Sequence, residues 1–110
     1  MALNKQIAMI LYNVTVNIDN DVHDDWLTWM KEVHIPEVMA TGYFLENKVC
    51  RIMAESEGGT SYAIQYLCAS QQDYDEYQQH HALALQQKHL QRYNGKFGAF
   101  RTLLEVVHTS

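Results

Sequence analysis

Between Ile10 and Ile18 the chain alternates: Ile10, Tyr12, Val14, Val16 and Ile18 are apolar, with Asn13, Thr15 and Asn17 between them. A period of two sends successive side chains to opposite faces, so this stretch predicts a first strand with one buried side. After an Asp19-Asn20 turn the period changes. Val22, Trp26, Trp29, Met30 and Val33 recur at helical spacing, with Asp21 placed to accept a backbone N–H at the helix start. Asp24 and Asp25 in the first turn and Lys31 toward the far end suit the helix dipole. The one proline, Pro36, lacks an N–H and crowds the turn before it, so the helix should bend or stop near His34. A short second turn, Pro36 to Ala40, is then expected to end at Gly42. His34 would stand at the corner, on the border of the buried face.

Tyr43 to Ala54 and Thr60 to Ala69 read as the second and third strands, joined by Glu55-Ser56-Glu57-Gly58-Gly59, whose glycines supply the positive φ of a hairpin. A turn centred near Gly58 would set Cys50 and Cys68 almost opposite each other. Ser70 followed by Asp73 is a capping-box-like start, after which Tyr74, Tyr77, His81 and Leu85 form one helical stripe with a bend expected around His80-His81-Ala82. Asn94-Gly95 then turns into a last strand, Phe97 to Val107. The order is β-α-β-β-α-β, an α+β ferredoxin-like pattern in which two helices cover one face of a four-stranded antiparallel sheet, here as a single domain over residues 1–110. The other face should carry Asn13, Thr15 and Asn17, together with Arg51, Gln65 and Arg101. Neutral polar groups mixed with arginine suit a subunit interface better than a solvated surface, which points to a homodimer, sheet against sheet.

Hydrophobic residues make up 47% and charged residues 19% of the 110, ordinary globular proportions. A net charge of −5, with eight scattered lysines and arginines, argues against a nucleic-acid partner. Lys5 precedes the apolar run Ile7 to Tyr12, but no small-residue cleavage site follows, so neither a signal peptide nor a membrane span is expected. Two cysteines, Cys50 and Cys68, fit free thiols in a reducing cytoplasm.

The segments LYNVTVNID, WLTWMKEVHIPEVMATGYF, YAIQYL and KFGAFRTLL together resemble a bacterial family of small uncharacterised proteins, classed as a domain of unknown function. The likeness covers nearly the whole chain. It implies a ferredoxin-like fold of the dimeric α+β barrel type and no established activity. More distantly, His34-Ile35-Pro36 after a tryptophan-bearing helix is similar to the H-x-P segment of some dimeric α+β barrel proteins linked to degradation pathways. Relatives in that superfamily include cofactor-independent monooxygenases, haem-degrading enzymes and lactone isomerases, whose ligands often occupy the space between helices and sheet.

Trp26, Trp29, Met30 and His34, facing Tyr12, Tyr74, Tyr77 and His81, would line an apolar cleft with a few polar tips, the usual make-up of a small-molecule site. The same stripe would serve equally as plain core. Within it His34 is the candidate proton-transfer group, since its ordinary pKa lies near neutrality, and Glu37 is its candidate carboxylate partner. Six histidines raise metal binding, yet no H-x-x-x-H or H-E-x-x-H spacing occurs, so no metal and no other cofactor is expected. There is no nucleophile elbow and no phosphate loop. Three readings remain: a homodimer that binds a small apolar or aromatic molecule in the helix-sheet cleft, a cofactor-independent monooxygenase- or isomerase-like enzyme using His34, or a structural or protein-binding module.

Overall fold

The computed structural model describes residues 7–54 and 56–110; Lys5 and Glu55, used above for the N-terminus and the hairpin, lie outside the described residues. Four strands, β1 (Ile10–Asp19), β2 (Glu46–Arg51), β3 (Gly59–Cys68) and β4 (Phe97–Glu105), form one antiparallel sheet in the order β2-β3-β1-β4. β1 and β3 are central and show the alternation most cleanly. Tyr12, Val16, Ile18, Tyr62, Ile64, Tyr66 and Cys68 are buried under the helices, and their neighbours in sequence turn to the other side. Gly59 permits the close approach of β3 to β1, because a Cβ there would run into the Asn17 side chain.

The first helical layer is more continuous than the proline implies. A 3-10 turn (Asn20–Val22) leads into α1 (His23–Trp29), a π turn (Met30–His34) and α2 (Ile35–Ala40), with right-handed helical dihedrals through Trp29, His34 and Ile35. The Ile35 N–H reaches back to the Met30 carbonyl, a five-residue step. The helix passes Pro36, which has no N–H to donate, through this π turn and neither stops nor breaks. The insertion also rotates the buried face. Val33, expected inward, is 40% exposed, and His34 takes its place at 9%, fully inside rather than on the border. Asp21 does not cap the helix; its carboxylate binds Lys96 Nζ at 2.8 Å.

Ser70 caps α3 (Gln71–Tyr77) by accepting from the Asp73 N–H at 3.2 Å, as the sequence pattern predicts. The expected bend is a second π turn (Gln78–Ala82) before α4 (Leu83–Tyr93). The buried positions move from Tyr77 to Ala82, then Leu85, His89 and Tyr93, which leaves His81 on the flank.

Strand registers supply the other corrections. β2 is shorter than expected and Cys50 pairs with Ala63, while Cys68 pairs with Ile10. Cys50 is exposed and Cys68 buried, both free, on opposite faces of the sheet. Val49 opposite Ile64 fixes that register, because a shift would turn the buried row outward. On β4, Arg101 pairs with Val14 and so lies on the helix side, and Arg51, opposite Tyr62, does too. The outer face therefore carries Asn13, Thr15, Asn17 and Gln65 as expected, with Leu11, Leu67, Phe100 and Leu104 where the two arginines were placed.

Candidate functional site

A cavity of about 70 Å³ lies between the helices and the sheet. Tyr12, Ile64 and Tyr66 form its floor, Met30, His34 and Val38 one wall, and Leu85 and His89 the other. Ala99 and Arg101 are also on its lining and are solvent-exposed, so the cavity opens along β4, beyond the helices' cover.

His34 and His89 face each other across it with ring centroids 5.8 Å apart. Burial holds both well below the ordinary histidine value, to about 4. The Glu37 carboxylate partly opposes this at His34, while His34 and the Arg101 guanidinium reinforce it at His89. Both rings are therefore neutral near pH 7. The Trp26 Nε1–H donates to His89 Nε2 at 2.9 Å, so His89 carries its proton on Nδ1. His34 has no such anchor. Its Nδ1 is buried without a hydrogen-bond partner among the described residues, a costly position for a polar atom unless a ligand or water completes it. Trp29 stacks on the same ring at 4.8 Å and 22°, and the Arg92 guanidinium lies 5.4 Å above the Trp29 ring.

At the other end, Arg101 Nε donates to the Tyr12 hydroxyl at 3.1 Å. Tyr66 and Tyr77 also line the cavity, and burial raises both phenol pKa values, so these hydroxyls remain protonated donors. Among the described residues no aspartate or glutamate lies on the lining, and Arg101 is its one permanently charged member.

Of the residues singled out from sequence, Tyr12, Met30, His34 and Tyr77 lie on the cavity wall. The rest are displaced from it for identifiable reasons. Trp26 is wholly buried behind His89, and Trp29 covers the far side of His34. Tyr74 packs on Tyr12 at 5.1 Å, where its hydroxyl accepts from Gln78 Nε2 at 2.7 Å. His81, turned aside by the π insertion, lies between Tyr43 and Tyr77. Glu37 pairs with Lys88 at 2.6 Å in place of His34. His89 and Arg101 escape the sequence reading. His89 is four residues beyond Leu85 on the same stripe, which was a usable signal; Arg101 needs the β1–β4 register.

A second polar chain sits apart from the cavity. His23 Nδ1 binds Asp24 at 2.9 Å, and its Nε2 lies 2.6 Å from the Tyr62 hydroxyl. The carboxylate accepts, so Nδ1 carries the proton and Tyr62 donates to Nε2. Burial raises the Cys68 thiol to about 11, so this cysteine is a poor nucleophile. Among the described residues no cluster of three or more His, Cys, Asp or Glu side chains has the geometry to hold a metal, and no helix is long and apolar enough to cross a membrane.

The profile of a family described as a domain of unknown function, DUF4286, matches residues 9–107. The chain belongs to this family. No curated protein matches it. Among solved structures, an ethd-like protein from Ralstonia eutropha superposes with a TM-score of 0.68 at 15% identity, covering 96% of this chain and 97% of that one. A dimeric ferredoxin-like protein of unknown function from Thermobifida fusca gives 0.64 at 11% identity, with coverage of 96% and 97%. A protein from Nitrosomonas europaea named as a candidate antibiotic biosynthesis monooxygenase gives 0.68 at 8% identity, with the same coverage. At these identities the likeness is one of fold, and it establishes this DUF4286 chain as ferredoxin-like.

Proposed function

We propose that this DUF4286 protein is a single-domain, cytoplasmic homodimer that binds a small apolar or aromatic molecule in the cavity between helices and sheet. The observation that carries the binding reading is His34: a buried imidazole on a cavity wall, with Nδ1 unpartnered and a tryptophan stacked behind it. A residue kept only for packing would have no need of that nitrogen. The dimer reading rests on the outer sheet face, where Leu11, Thr15, Phe100 and Leu104 form a largely uncharged surface and Phe100 is 62% exposed. A structural relative described as dimeric has the same fold. Crystals or NMR samples of the protein with a set of small aromatic compounds test the binding reading. Ligand density or shift changes should centre on Tyr12, Met30, His34 and Tyr77, and compounds that bind only elsewhere would overturn it.

A second reading is favoured by the same imidazole, neutral and on the cavity wall. A neutral His34 with a free nitrogen can move a proton in a cofactor-independent oxygenase- or isomerase-like reaction, and a relative named as a candidate monooxygenase has this fold. Glu37 would then act on His34 through its charge, since its own hydrogen bond goes to Lys88. The two readings part at His34→Ala. In a binder the substitution changes affinity alone, whereas an acid/base enzyme loses on the order of a hundredfold or more in turnover, beyond any change in substrate affinity.

A further inference from the structure

We infer that the ligand of the cavity is a small organic anion, held by a charged oxygen on the Arg101 guanidinium. The inference rests on the binding reading above and narrows it to a chemical class.

The charge balance of the lining carries the argument. Among the described residues Arg101 is its only permanently charged member, and no carboxylate lies on the lining. Among the described residues Arg101 makes no ion pair, although Lys88, Arg92 and Lys96 each have a carboxylate partner. The hydrogen bond it does make goes to the neutral Tyr12 hydroxyl through Nε, which leaves the two terminal nitrogens of the fork for another acceptor. The histidines point the same way. His89 has its acceptor nitrogen occupied by Trp26, so anything else that meets this ring meets an N–H donor. His34, its ring 5.8 Å away across the cavity, adds no negative charge. A neutral apolar molecule would leave the Arg101 fork to water, whereas a carboxylate or enolate accepts from it.

Size limits the ligand further. A cavity of about 70 Å³ is roughly half the 150 Å³ that takes up benzene in an engineered protein core. It encloses a head group of a few heavy atoms. Any apolar remainder has to leave along β4, where Ala99 and then Leu103, 43% exposed, continue the helix-side row past Arg101. The fitting class is a carboxylate or enolate on a short apolar or aromatic body.

Sodium benzoate and benzamide differ little in shape and fully in charge, so titrating each into ¹⁵N-labelled full-length protein at matched ionic strength isolates the claim. Benzoate should bind at least about tenfold more tightly, moving the Arg101 side-chain and His34 ring signals. Arg101→Gln should remove most of that preference, and Arg101→Lys should keep part of it. Because Arg101 is exposed on β4, both variants are expected to fold. Equal affinities, or a preference for benzamide, would overturn the anion assignment and leave the binding reading standing. If neither compound moves any signal from Tyr12, His34 or Tyr77, the binding reading fails and takes this inference with it.

Discussion

Stability should fall steeply as pH drops from 7.5 to 5.5, because two buried histidines are neutral in the native state and protonate on unfolding. Burial lowers His34 and His89 from 6.5 to about 4. Between those values the unfolded chain binds protons that the folded one refuses, so each histidine removes stability as pH falls through the window, and the loss levels off below about 4. The full gap is worth about 3 kcal/mol per histidine at 1.36 kcal/mol per pH unit. From pH 7.5 to 5.5 each accounts for about 1.4 kcal/mol, and the pair for close to 3, a large share of the 5–15 kcal/mol typical of a small domain. Urea unfolding at fixed ionic strength and half-unit pH steps measures this directly. His89→Gln should remove about half of the slope and the double variant with His34→Gln most of it. A wild-type midpoint that stays level or rises between pH 7.5 and 5.5 would refute the assignment of two neutral, desolvated rings.

Trp26→Phe removes the indole N–H that satisfies His89 and should cost about 1–3 kcal/mol from the stranded Nε2, plus lost packing; adding His89→Leu should recover part of that, a coupling visible in a double-mutant cycle of urea midpoints. Ser70→Ala deletes the cap on α3 and should lower stability by about 1 kcal/mol in the same assay. Phe100→Glu puts like charges face to face across the outer sheet of the proposed dimer, so analytical ultracentrifugation should find a monomer with an unchanged far-UV spectrum; a variant that sediments like the wild type would remove the interface from that face.

The sheet and the helix positions could be read in advance because each buries only one side, and one-sided burial writes its period into the chain. Ile10 to Ile18 shows this plainly, as does the Ser70–Asp73 cap. Pro36 and His80-His81-Ala82 mark where the helices are irregular, but not that each irregularity is a π turn, since an extra residue in a helix leaves no mark on composition. Their effect is seen at Val33 and His34, which exchange places, and at His81, which is carried off the stripe. Alternation along β4 separates two rows but does not say which one faces the helices. That is decided by pairing with β1, which sets Arg101 beside the cavity and not on the outer face. The aromatic stretch around Trp26 stands out for its apolar character, yet its two indoles hold the histidines in place and it is Met30, His34 and Val38 that reach the cavity.

Freshly purified protein, taken by native mass spectrometry without denaturation, tests the division of the sheet into a ligand-holding side and a self-associating side most directly. The account predicts a species of twice the 12.8 kDa chain mass, carrying a small-molecule adduct that is lost on denaturation. A bare 12.8 kDa monomer would contradict both halves of it.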